Sequence, residues 1–61
     1  MIFITLTNAE KTQDRKVIVN IGNITHFKQN EKTTTVFFNN EYPVTVTELI
    51  EEIEELLDKV L

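Results

Sequence analysis

Cysteine is absent from this chain of 61 residues, so no disulfide can staple it. A single histidine, His26, leaves no Cys/His set for a zinc site. One glycine and one proline exclude a Gly-rich phosphate loop. No apolar run approaches the roughly 20 residues needed to span a bilayer. The opening MIFITL is apolar but shorter than a signal-peptide core. No basic residue precedes it and no small-residue cleavage site follows. The expectation is a soluble cytoplasmic protein with no membrane insertion, and the lack of cysteine fits a reducing compartment.

Sixty-one residues make one domain, 1–61. A domain of that size buries only about 60% of its unfolded-chain surface. With neither disulfide nor metal, good packing or oligomerisation must supply the remaining stability. The net charge of −4 is unevenly placed. Residues 1–44 set five basic against four acidic side chains, a balance of +1, whereas residues 45–61 set Lys59 against six acids, a balance of −5. That distribution opposes nonspecific nucleic-acid binding but leaves room for a modest basic patch in the first part.

What is present is alternation followed by helical periodicity. In residues 2–7 Ile2, Ile4 and Leu6 fall on one face and Phe3, Thr5 and Thr7 on the other. Residues 8–14 read as a polar loop. Residues 15–20 form a second strand with Val17 and Val19 opposite Ile18. Gly22 marks a turn or bulge, where glycine accepts positive φ without cost. A short strand over 24–28, a loop over 29–32 and a threonine- and aromatic-rich strand over 33–38 follow. Asn39-Asn40 suits a hairpin turn, because asparagine tolerates the left-handed region. Residues 41–44 return as a short edge strand, since Pro43 has no N–H to donate. A two-residue loop would pair Phe38 with Glu41. A three-residue loop would pair Phe38 with Tyr42 and gather Val36, Phe38, Tyr42 and Val44 on one face, which favours it.

The C-terminal residues read as an amphipathic helix over about 46–60. Thr45 as N-cap and Glu48 three residues on form a capping box, with Val44 and Leu49 as the hydrophobic staple. Val46, Leu49, Ile50, Ile53, Leu56, Leu57 and Val60 make one stripe, and acids fill the rest. The i,i+4 pairs Glu48/Glu52, Glu51/Glu55 and Glu54/Asp58 are like-charged and mildly unfavourable, so packing on a sheet must order the helix. The expected fold is α+β: a four- to five-stranded antiparallel β-sheet followed by one C-terminal amphipathic helix packed on one face.

No constellation for catalysis emerges. His26 has no carboxylate or cysteine partner at a recognisable spacing, and a histidine on a strand surface is the ordinary case. Hard cations take oxygen ligands converging from loops, whereas these glutamates line one solvated helix face. The threonines at 33–35 have no activating base beside them. The expectation is a non-enzyme with no cofactor and no metal. Phe3, Phe27, Phe37, Phe38 and Tyr42 with Lys16, Lys28 and Lys32 could form a stacking platform for nucleic acid, though core or interface is the simpler use.

One helix covers one face of a sheet, and that leaves Phe3, Ile18 and Phe37 on the other. A large exposed apolar patch marks a partner surface, and a homodimer is the commonest solution. The helix positions Val46, Leu49, Ile53, Leu56 and Val60 also fit an a/d seam that a second helix could share.

Met1, Ile2, Ile4, Thr5, Asn8, Asn20, Ile24, Thr34, Val36, Phe38, Asn40, Tyr42, Val44, Glu48, Ile50 and Ile53 stand in an order that resembles the small flagellar FlbD/SwrD-type family along most of the chain. Both family glycines are missing, Ala9 standing at the first, and the loop after Asn8 is longer. The helix start here is T-V-T-E instead of V-x-E-S. The resemblance implies a bacterial accessory protein of flagellar function or swarming, with no catalytic residues to carry over. The strand–strand–I-x-x-F–hairpin–helix order is also similar to the first half of LytTR-type DNA-binding domains, which are about twice as long and more basic. The expected function is a small bacterial protein–protein interaction module, homodimeric or with an unidentified protein partner. Alternatives are a small nucleic-acid-binding regulator and a structural domain, either of phage or mobile-element origin.

Overall fold

Alternating β-branched residues give five strands, and a computed structural model describes them over residues 1–10 and 15–61. The second part of the polar loop expected over 8–14, residues 11–14, lies outside the described residues. The elements are β1 (Phe3–Thr7), β2 (Lys16–Asn20), a 3₁₀ turn (Ile21–Asn23), β3 (Ile24–Gln29), β4 (Thr34–Phe38), β5 (Val44–Val46) and α1 (Ile50–Val60). The α+β class expected from the sequence is the class observed. The strands differ in arrangement: they form a two-stranded antiparallel sheet, β1–β2, and a three-stranded one, β3–β4–β5, in place of one continuous sheet.

The division has a local cause. β1 and β5 meet only past the end of β1, at an Asn8/Val46 bridge. There Ala9 N–H donates to the Thr45 carbonyl and Thr47 N–H to the Thr7 carbonyl, each at 2.9 Å. Side chains from both sheets then share one core: Ile4 and Leu6 from β1, Val19 from β2, Val36 from β4, Val46 from β5 and Ile53 from α1. No helix among the described residues is long and apolar enough to cross a membrane.

The β4–β5 register pairs Val36 with Val44 and Thr34 with Val46, in line with the three-residue-loop alternative. The ladder stops there, before Phe38 and Tyr42. Pro43 cannot donate, and Tyr42 is 93% exposed, so it does not join Val36, Phe38 and Val44 on the inner face. Gly22 lies in the expected turn, but with φ outside the positive region; the Asn20 side chain accepts its N–H at 3.0 Å. No described residue has positive φ, Asn39 and Asn40 included. The bulge falls instead between Ile24 and His26 in β3.

The helix starts four residues later than its sequence signal. Val44–Val46 is a strand, and Thr45 places its Oγ1 3.4 Å from that of Thr35 instead of capping. A β-branched V-T-V-T run prefers the extended state, and pairing with β4 buries Val46 completely. Glu48 is drawn elsewhere: its carboxylate accepts the Thr7 N–H at 2.8 Å and the Thr7 hydroxyl at 2.9 Å. Leu49 is the N-cap residue, and it has no side chain able to cap. The Ile50 N–H is met from outside the helix by Gln29 Oε1 at 3.1 Å. The capping box and staple therefore do not form. The buried stripe is also narrower than expected: Ile53 is buried, Leu56 and Leu57 pack on the core, Leu49 and Ile50 are half-buried, and Val60 is 41% exposed.

Thr34 is fully buried, and its Oγ1 meets no hydrogen-bond partner. Thr34→Val keeps the shape and removes that desolvated hydroxyl, so it should raise unfolding free energy by about 1 kcal/mol in urea titrations. Ile53→Ala should lower it by about 3 kcal/mol, as core truncations do. Glu48→Ala strips two bonds from Thr7 and should cost about 2 kcal/mol. Glu51→Ala on the exposed first turn should stay within about 0.5 kcal/mol of the parent. Equal effects at 48 and 51 would show that the Thr7 clamp is not holding the junction.

Candidate interaction surface

The strand alternation that buries Ile4, Leu6 and Val19 turns Phe3, Thr5, Ile18 and Asn20 outward on β1–β2. Phe3 pairs with Asn20 and Thr5 with Ile18, so Phe3 and Ile18 are diagonal neighbours on one face. Phe3 is 51% exposed, Ile18 69% and Met1, just before β1, 97%. All three line an open cleft of about 360 Å³. The same cleft is lined by the consecutive β2 residues Val17, Ile18, Val19 and Asn20, and by Phe38 and Val44 from the other sheet. Four residues in sequence along one strand alternate between its faces, so it is the strand's edge that fronts the cleft.

Phe37, the third expected interface residue, is placed apart from the other two. It lies on the outer face of the three-stranded sheet, half-buried, and its ring stacks on His26 at a centroid distance of 4.3 Å and an interplanar angle of 9°. The extra residue of the bulge, Thr25, puts its Oγ1 2.9 Å from His26 Nδ1 and 3.3 Å from the Phe37 carbonyl oxygen. His26 is thus held by its neighbours, in keeping with the ordinary reading of a strand histidine. The cross-strand pairing of His26 with Phe37 follows from the bulge register, which no residue type in the sequence announces.

Of the helix stripe, Ile53, Leu56 and Leu57 serve the molecule's own core, and Val46 reaches it from β5. Thr45 and Glu48 bind Thr35 and Thr7. Among the described residues no three His, Cys, Asp or Glu side chains gather as an ion-binding group. What the β1–β2 face offers chemically is apolar contact beside a strand edge. The exposed rows of Met1, Phe3 and Ile18 were partly legible in the alternation; Met1 was not singled out, because a terminal residue carries no periodicity.

No family model, curated protein or solved structure matches this chain.

Side chains this exposed add little to the fold of a single copy. Phe3→Ser and Ile18→Ser, measured by denaturant unfolding at low micromolar concentration, should each shift stability by less than about 1 kcal/mol. A loss near that of Ile53→Ala would place these side chains in the core of the chain instead of on a contact surface.

Proposed function

We propose that this protein is a non-enzymatic protein–protein interaction module that self-associates through the outer face of β1–β2. The observation that carries the reading is the grouping of Met1, Phe3 and Ile18, all exposed, on one side of a small domain. Apolar side chains scattered singly over a surface are ordinary, whereas a contiguous group beside a cleft of mixed polar and apolar lining fits a partner. Self-association also suits the size of the chain, since a core of six buried apolar residues leaves a small margin against chain entropy. The resemblance to FlbD/SwrD-type proteins supports a bacterial accessory role in flagellar function or swarming.

A second reading, binding of single-stranded nucleic acid, draws on the outer face of the other sheet. There the His26–Phe37 stack lies beside Lys28, two residues along β3. Stacked rings next to a cation suit an unpaired base and its phosphate. The acidic helix opposes it, so the reading ranks second.

Light scattering across the micromolar range should show a mass rising towards twice that of the monomer, and Phe3→Ser/Ile18→Ser should hold it at one. A monomer mass at high micromolar concentration would remove self-association. For the second reading, mixed-sequence DNA oligonucleotides titrated at low salt should show no binding where electrostatic attraction is strongest. Saturable binding lost in Phe37→Ala would reverse the ranking.

A further inference from the structure

The β1–β2 ladder has a readable phase. Asn8 N–H donates to the Arg15 carbonyl at one end and Ile21 N–H to the Ile2 carbonyl at the other. With Ile4 opposite Val19 and Leu6 opposite Val17, those two pairs carry the hydrogen bonds between the ends. The N–H and C=O of Ile18 therefore point away from β1. The complementary half of the pattern is visible on β1, where Thr7, also out of phase with β2, sends its N–H to Glu48 and its C=O to Thr47. β1 is the only strand paired with β2 among the described residues.

Of the four edge strands, β1 and β5 meet each other at the Asn8/Val46 bridge, and the other two, β2 and β3, are unlike. β3 is interrupted by the bulge after Ile24, a device that discourages strand addition. β2 has no bulge and no proline, and its centre is an exposed isoleucine.

Resting on the interaction-module reading, we propose that the partner is a second copy of this chain, joined by antiparallel pairing of β2 with β2 about Ile18. Another extended backbone matches a donor and an acceptor presented on the same residue of a strand edge, and continues the match along the strand. A two-fold axis at Ile18 makes it a bonded pair with itself, exchanging two N–H···O=C bonds. The register then sets Val17 opposite Val19 and Lys16 opposite Asn20, so like charges do not face each other across the axis. On the outer face the two Ile18 side chains meet, with Phe3 diagonal to each. On the inner face the valines of the second strand extend the layer beside Phe38 and Val44, the apolar wall of the cleft. The assembly is closed, because each copy uses its β2 edge once.

Amide hydrogen exchange read by NMR, with light scattering on the same samples, tests this pairing without altering the chain. The Ile18 amide should exchange fast when dilute and slow by about tenfold once nine-tenths of the chains are dimeric, because exchange then requires the open monomer. The Val19 amide, which faces β1, should stay protected throughout. Chemically synthesised protein with Ile18 N-methylated keeps the side chain and loses the donor; it should remain monomeric with the melting temperature of the dilute parent. A dimer whose Ile18 amide exchanges fast at every concentration overturns the edge pairing and leaves the module reading standing through the apolar face. A chain that stays monomeric at high micromolar concentration overturns both.

Discussion

Thr7 is the residue on which the two sheets and the helix converge. Its N–H and hydroxyl go to the Glu48 carboxylate and its carbonyl receives the Thr47 N–H. These three bonds join the end of β1 to the point where β5 gives way to α1. They fix how far the V-T-V-T strand runs, where the chain turns, and where the helix can begin. A carboxylate makes a stronger acceptor than a neutral group, and here it serves a strand N–H that faces away from β2. Because the backbones of β1 and β5 bridge only at this corner, the sheets can close over a shared core of Leu6, Val36, Val46 and Ile53.

The parts of this architecture that follow from period alone were legible in the sequence. Alternation sets the inner faces of β1 and β2, and the apolar set Val36, Phe38, Tyr42 and Val44 selects the observed hairpin register, although Tyr42 itself stays outside. The helical period sets Ile53, Leu56 and Leu57 on the face that meets the core. What was misread is a competition between two local signals. T-V-T-E is a sound capping box, yet the same residues are a sound strand, and long-range pairing with Thr34–Val36 and Thr7 decided between them. Sequence proximity cannot show that Glu48 has a better partner forty-one residues away. Tyr42 turns outward for the related reason that the ladder ends at Val36–Val44, next to Pro43 and two pairs short of a Phe38–Tyr42 pair.

The candidate surface was legible to a similar depth. The outward phase of Phe3 and Ile18 is a property of alternation, so the sequence alone sets both on the outer face. Phe37 shares that phase on its own strand but belongs to the second sheet, where His26 covers it. The assignment of all three to one face presumed a single sheet. Its division into two separates them, and it leaves an edge strand whose central residue carries both an exposed apolar side chain and an unclaimed backbone direction.

Helix α1 has no capping side chain at its own N-cap position, and much of its surface carries like charges. Its first N–H is met by Gln29 of β3, and the approach to it is tethered by Thr7 of β1. The helix is consequently a reporter of tertiary structure: detached from β1 and β3, the segment from Glu48 onward keeps neither its external cap nor the apolar floor under Ile53. Helicity and sheet closure are thereby coupled into one cooperative transition, in which far-ultraviolet ellipticity and the chemical shifts of core methyl groups change together. In a protein with so few buried side chains, a borrowed cap makes local order depend on the whole.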